Sequence, residues 1–191
     1  KFYSDLISIN ISYNVGNFSK TTFNLFIMII KLNKNIISIE QFKLKCSVGK
    51  GGIKKKLKEG DKITPVGTYF LTKLYYRSDR IKKIQTKLDL KIIKKNMGWC
   101  DDPESPEYNR EIKIKRGFKY NYESLYKKDS SYDMIIPITY NLKKPIKNKG
   151  SAIFLHCTEN YKPTAGCIAL KKKDFFLMLN LINKKTKIKI I

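Results

Sequence analysis

Two residues near the C-terminal end could together make a nucleophile: Cys167, which directly follows Gly166, and His156, the one histidine of the chain. A thiol of ordinary pKa is mostly protonated at neutral pH and gains nucleophilicity from a base or a positive neighbour. The segment Gly166-Cys167-Ile168-Ala169-Leu170 permits a tight backbone before the sulfur, which would expose it and point amide N–H groups at one spot. Such N–H groups stabilise the oxyanion formed when a thiolate attacks a carbonyl. His156 ends the apolar run Ile153-Phe154-Leu155, so it projects from a strand end, eleven residues before Cys167 and across a loop holding Pro163 and Gly166. Residue types alone leave two readings open, a catalytic couple or a satisfied core histidine beside a buried thiol.

The pattern along the chain frames these residues mostly with strands. The β-branched runs 27–32 and 36–39, separated by Asn33-Lys34-Asn35, predict a hairpin, and Phe42, Leu44 and Cys46 alternate with polar residues as a third strand that Gly49, Gly51 and Gly52 end. A loop over 54–65 leads through Gly67 into a strand at 68–74. Residues 96–110 hold Gly98, Pro103, Pro106 and Asn109 and read as a turn-rich stretch without period. A short strand is predicted over 133–140, with Pro137 marking an edge or a bulge. Residues 151–157 read as a buried strand, and 187–191 as a closing one. Between them, 173–182 sets Phe175, Phe176, Leu179 and Ile182 on one helical face. The fold class is mostly β (α+β), with one main helix after the cysteine loop. Residues 1–26 are expected to be an N-terminal extension or leading strand of unknown role, and 27–191 one domain with one core.

Composition narrows the chemistry further. Forty Lys+Arg against sixteen Asp+Glu give a formal net charge of +24, which suits a polyanion; lysines spread evenly beside Ile and Asn are equally the mark of an A/T-rich coding sequence. The cysteines, Cys46, Cys100, Cys157 and Cys167, contain no Cys-x-x-Cys pair, and with one histidine a zinc site is not expected. Free thiols are favoured over two disulfides, because the spacings are irregular and the chain is large enough to stand without them. The longest apolar run is too short to span a bilayer, and no export signal or membrane anchor is visible in this chain; either would lie upstream.

Four segments, in order, resemble the L,D-transpeptidase catalytic domain, the YkuD-like family. Ser151-Ala152-Ile153-Phe154-Leu155-His156 is similar to the family's histidine strand, and Thr164-Ala165-Gly166-Cys167 to its Ser/Thr-x-Gly-Cys nucleophile loop. Thr64-Pro65-Val66-Gly67 resembles a Thr-Pro-x-Gly hairpin. Trp99-Cys100-Asp101-Asp102-Pro103, with Tyr108-Asn109-Arg110, looks like the signature of a compact subgroup. The resemblance covers roughly 27–191 and implies a YkuD-like β-sandwich or barrel.

It also implies that Cys167 attacks the carbonyl of an L-centre beside a D-amino acid in a peptidoglycan stem. His156 would be its base, and the N–H groups of Cys167 and Gly166 would hold the oxyanion. The carbonyl of Cys157 would orient the imidazole, its side chain merely packing. Substrate-binding residues expected on this basis are Arg80, Trp99, Asp101, Tyr108, Arg110 and Thr164, with Trp99 and Asp101 on a cap or pocket wall. No metal or cofactor is called for. The chain departs from the family where many members have a histidine before Gly-Cys and an arginine after it; here stand Ala165 and Ala169. Arg77, Arg80 or Arg110 would have to replace that arginine toward a substrate carboxylate, though each also reads as a solvated surface residue. Asp61, and Asp101 with Asp102, read equally as turn formers.

Three functions follow: a transpeptidase, an L,D-carboxypeptidase or endopeptidase type of thiol hydrolase on the same fold, and a noncatalytic module binding an anionic polymer. The expected partner is a peptidoglycan stem peptide rather than nucleic acid, the expected place is the periplasm or cell wall, and the expected state is a monomer.

Overall fold

The computed structural model describes residues 27–191; the expected extension over 1–26 lies outside the described residues. The predicted hairpin is formed by β1 (Ile29–Asn33) and β2 (Ile36–Ile39), and β3 (Phe42–Ser47) follows antiparallel. Alternation sets their faces: Ile30, Leu32, Ile37, Ile39, Leu44 and Cys46 are buried while Lys43 and Lys45 point outward. Two short parallel strands come next, β4 (Ile53–Lys54) and β5 (Thr64–Pro65).

The strand predicted over 68–74 is two, β6 (Gly67–Phe70) and β7 (Leu74–Tyr76), because the chain changes partner at 71–73. Leu71 bridges to Ile138, and the Thr72 N–H donates to the Pro137 carbonyl at 3.0 Å. After β8 (Leu90–Ile92), the stretch read as aperiodic contains a small three-stranded sheet, with β9 (Met97–Cys100) between β10 (Arg110–Lys113) and β11 (Tyr122–Ser124). All four β9 residues are buried. Gly98 and the Asp-Pro turn beside it hide that strand from a periodicity reading.

The remaining elements are β12 (Met134–Pro137), β13 (Phe154–Cys157), β14 (Ile168–Leu170), the helix α1 (Lys172–Leu181) and β15 (Lys187–Ile190). The large sheet has ten strands in the order β6-β15-β1-β2-β3-β14-β13-β12-β7-β8, and the Leu71–Ile138 bridge draws its β6 edge back toward β12, so it curls on itself. Among the described residues the architecture is mostly β with one helix, as the motifs implied. Pro137 departs from the expectation of an edge or bulge: β12 lies inside the sheet, between β13 and β7. The missing N–H is tolerated because Pro137 faces the Thr72 turn, beyond Leu74, where β7 begins.

The predicted strand over 151–157 starts only at Phe154, since Ala152 is left-handed with φ 49°. Helix α1 buries Phe175, Met178 and Leu179, an i, i+3, i+4 stripe, in the main apolar core with the strands of the large sheet; Phe176 is only partly buried. A second apolar cluster, including Trp99, Phe154, Tyr132 and Cys167, fills the space toward the small sheet. No helix among the described residues is long and apolar enough to cross a membrane.

Phe175 is fully buried under the sheet. Phe175→Ala is expected to lower unfolding free energy by about 3–5 kcal/mol, read as a fall in the urea midpoint at unchanged m-value.

Candidate active site

Strands β13 and β14 run parallel, pairing Leu155 with Ile168 and His156 with Ala169. Cys167 stands immediately before β14, so the eleven residues between it and His156 close into a separation of one strand spacing and a small offset in register. Both side chains line one open cavity of about 470 Å³, together with Ala169 and Thr158. This juxtaposition follows from parallel pairing, which requires a crossover between the strands and which no local sequence feature encodes.

The loop carrying the cysteine is held by threonine hydroxyls. Thr164 Oγ1 donates to the Cys167 carbonyl at 2.6 Å and accepts the Gly166 N–H at 3.1 Å. Thr64, wholly buried on β5, accepts the Gly49 N–H at 2.8 Å and donates to the Gly166 carbonyl at 2.8 Å. One hydroxyl thereby ties the hairpin, the end of β3 and the cysteine loop together. The approach is close: a Cβ on Gly49 would lie 2.2 Å from the Lys62 carbonyl oxygen and 2.9 Å from the Gly166 Cα. Gly166 has φ +136°, a conformation that L side chains rarely adopt.

The sulfur is not exposed as the glycine suggested. Cys167 is 9% exposed, its Sγ accepts the Phe154 N–H at 3.3 Å and its thiol donates to the Ala152 carbonyl at 3.1 Å. Burial, reinforced by the charge of Glu123, pushes the thiol up to about 12. His156 is shifted the other way: burial lowers its pKa, only partly offset by its bond to the Cys157 carbonyl. That bond, 2.8 Å from Nδ1, fixes the tautomer, since a carbonyl accepts only and Nδ1 must carry the proton. Nε2 then keeps its lone pair. The Tyr132 ring packs edge-on against the imidazole at 5.5 Å between centroids. At rest the couple is neutral, a thiol and an imidazole. The Cys157 side chain, 1% exposed, packs in the core, and all four cysteines are free and buried.

Of the residues expected to bind substrate, Asp101 and Thr164 line the cavity; Trp99, Tyr108, Arg80 and Arg110 do not. Trp99 lies behind the wall, 4% exposed, its ring 5.1 Å from Phe154 and its Nε1 donating to Asn109 Oδ1 at 2.9 Å. Tyr108 is buried and its hydroxyl donates to Glu59. Arg80 donates to the Lys128 and Asp129 carbonyls, both at 2.7 Å, and to Asp133 at 2.9 Å, so it braces the loop that forms one wall. Arg77 forks onto Asp79 at 2.6 and 2.8 Å and stacks on Tyr126. Arg110 is exposed on β10. The cations on the cavity wall are instead Lys56, Lys127 and Lys162.

Asn109, named in the sequence only as a turn residue and within the Tyr108-Asn109-Arg110 segment, clamps the backbone behind the site. With φ 55°, it accepts from Trp99 and from the Ala152 N–H at 3.1 Å, and donates to the Asn141 carbonyl at 2.6 Å. The signals available for it were that segment and the tolerance of asparagine for left-handed backbone. Asp61 acts as a turn former: it accepts the N–H groups of Leu57, Lys58 and Ile63 and pairs with Lys56 at 2.5 Å. Burial opposes its ionisation, but Lys56 and these amides outweigh it and hold the carboxyl near 2.

The sequence over residues 24–190 matches the family of the L,D-transpeptidase catalytic domain, YkuD, and the chain belongs to that family. No curated protein sequence matches it. Among solved structures, the helical cell shape determining protein Pgp2 from Campylobacter jejuni is similar at 18% identity and TM-score 0.47, over 86% of this chain and 46% of that one. Bd1075 from Bdellovibrio bacteriovorus matches at 16% identity and TM-score 0.47, over 97% and 51%. L,D-transpeptidase 1 from Mycobacterium tuberculosis matches at 10% identity and TM-score 0.36, over 86% and 60%. The chain thus spans about half the length of the Campylobacter and Bdellovibrio chains. At these identities and TM-scores no activity follows from the likeness.

A thiol raised to about 12 is less ionised at neutral pH than an ordinary cysteine. Iodoacetamide alkylation of Cys167, followed by mass spectrometry, is expected to be slow near pH 7 and to keep rising beyond about pH 9, with no plateau in the ordinary thiol range. For Asp61 the folded pKa is depressed, so its stabilisation is full above the ordinary 3.8 and is lost as pH falls through about 2. Asp61→Asn is expected to flatten that acid limb in denaturation curves and to cost about 3–5 kcal/mol near neutral pH by leaving Lys56 buried and unpaired.

Proposed function

We propose that this chain is a peptidoglycan L,D-transpeptidase that works through a cysteine acyl-enzyme. The observation that supports it is the meeting of Cys167 and His156 at one cavity, from neighbouring parallel strands, with Nδ1 of the imidazole already anchored. Nε2 of His156 takes the Cys167 proton as Sγ attacks the carbonyl carbon of an L-centre in a stem peptide. The backbone N–H of Cys167 faces the developing oxyanion. The Gly166 N–H is bound to Thr164 at rest, so glycine contributes conformation before it contributes a donor. The C–N bond to the D-residue then breaks, and the departing amine carries the proton that His156 returns. A second amine attacks the thioester, loses its proton to His156, and Sγ leaves as thiolate to be reprotonated.

Because the resting couple is neutral, proton transfer accompanies attack instead of preceding it, and removing water from the cavity favours that step. The open, charged walls favour a second reading, in which water resolves the thioester and the products are shortened stems. A noncatalytic polymer-binding module leaves the anchored imidazole without a role. Activity on the wall polymer requires that the protein act in the periplasm or at the cell wall.

Mass spectrometry of stem peptides incubated with the protein, beside a Cys167→Ala control, tests this reading. Cross-linked or residue-exchanged products absent from the control are expected. Shortened stems alone would make it a hydrolase, and no turnover in either sample would remove catalysis altogether. Carbapenem-type β-lactams are likewise expected to add their mass to Cys167 and to no other cysteine.

A further inference from the structure

The imidazole of His156 is held at one atom by the Cys157 carbonyl, and a single hydrogen bond leaves the plane of a ring free to swing about that atom. A second contact is needed, and Tyr132 supplies it from the loop before β12. Its ring meets the imidazole at 5.5 Å between centroids and 66° between planes, and meets Phe154, two residues earlier on β13, at 6.0 Å and 74°. Tyr132 is buried and lines the cavity beside His156.

The loop cannot carry that ring away. Arg80 holds the Lys128 and Asp129 carbonyls and the Asp133 carboxylate, which Lys172 also meets at 2.9 Å. The Ser131 carbonyl accepts the Cys157 N–H at 2.9 Å. Cys157 therefore anchors the residue before Tyr132 through its N–H and the imidazole through its carbonyl.

The ring is pinned at its far end as well. Its hydroxyl donates to Glu123 at 2.8 Å, Glu123 pairs with Lys127 at 3.0 Å, and the Lys127 ammonium lies 5.0 Å from the Tyr132 ring centroid. A carboxylate thus stands one phenol ring away from the imidazole. The charges of Glu123 and Asp129 favour protonation of His156, and that of Lys127 opposes it; Lys56, Glu59, Asp101 and Lys162 face the same cavity. Burial, the larger effect, disfavours the imidazolium that must form when Nε2 takes the thiol proton, and a negative charge fixed behind the ring offsets part of that cost.

We propose that Tyr132 and Glu123 are positioning residues for His156: the phenol ring fixes the plane of the imidazole with Nε2 toward the cavity, and the carboxylate steadies the imidazolium formed during proton transfer. This rests on the proposed function and adds to it two residues that act through the histidine.

Because His156 is the one histidine of the chain, nitrogen NMR of isotope-labelled protein reads its two ring nitrogens without ambiguity. The unsubstituted protein is expected to show one tautomer, protonated at Nδ1. Tyr132→Leu is expected to mix the tautomers, drawing the two nitrogen shifts together, and to lower kcat for stem peptides about a hundredfold with KM little changed, the scale for a misplaced reacting group. Tyr132→Phe, which keeps the ring, is expected to retain the tautomer. Glu123→Gln is expected to move the imidazole titration to lower pH, together with the pH at which iodoacetamide alkylates Cys167, since the same charge raises both groups. A packing role alone moves neither titration. A single tautomer in Tyr132→Leu, turnover by it at the full rate of an active unsubstituted protein, mixing as complete in Tyr132→Phe, or an imidazole titration unmoved by Glu123→Gln overturns the inference. Thermal melting checks that Tyr132→Leu is folded; should it fail to fold, the two titrations of Glu123→Gln decide. The tautomer and titration effects without turnover by the unsubstituted protein sink the proposed function and leave this brace standing.

Discussion

Parallel pairing of β13 with β14 is the constraint on which the rest of this protein depends. It sets His156 opposite Ala169 and brings Cys167 onto the wall that His156 shares. A parallel pair must be joined by a crossover, here the loop carrying Pro163, Thr164 and Gly166, and that loop is held because its polar groups find partners both outside it and within it. Thr64 reaches it from β5 and Thr164 from within, while Gly49 leaves room for the backbones to approach. A slip of one residue in the β13–β14 register would turn the imidazole to the opposite face of the sheet.

Buried beneath this loop, the sulfur trades readiness for protection. A thiol bonded to the Ala152 carbonyl and raised by burial resists adventitious oxidation and alkylation, which depend on exposed thiolate. Its reactivity must then come from an imidazole held in the right tautomer, which is what the Cys157 carbonyl provides. The left-handed Ala152 belongs to the same device: a non-glycine residue at φ 49° carries strain, and the Asn109 clamp on its N–H helps the surrounding structure hold it.

Charge is organised on two scales. Over the whole molecule lysine dominates, and much of it is solvated on strand faces such as Lys43 and Lys45. Within the cavity the balance reverses, with carboxylates contributed by the segment before β5, the turn after β9, strand β11 and the loop before β12. No stretch of the chain shows that reversal by itself, because the four acids are scattered from Glu59 to Asp129 and only the curled sheet collects them.

What the sequence determined by itself is the set of short-range features. The hairpin over β1 and β2, the alternation in β3, the helix α1 and the closing strand are written in periodicity, because each depends on residues within a few positions of one another. The Gly-Cys loop and the single histidine likewise named the two candidates for chemistry without any structure. Where backbone breaks a period, legibility failed: Ala152 delays β13, the change of partner at 71–73 splits one expected strand, and Gly98 conceals β9. The family resemblance put Trp99, Tyr108 and Arg80 among the substrate-binding residues, yet Trp99 bonds to buried Asn109, Tyr108 to Glu59 and Arg80 to the Lys128 and Asp129 carbonyls and Asp133, partners that the sequence does not reveal. Only the tertiary structure decided that the sulfur is sheltered, that Asn109 and Thr64 hold its surroundings, and that Asp101 lies on the cavity wall. Those outcomes are set by long-range backbone pairing and by competition among distant polar groups for a limited number of partners, and neither is encoded in residues that are neighbours along the chain.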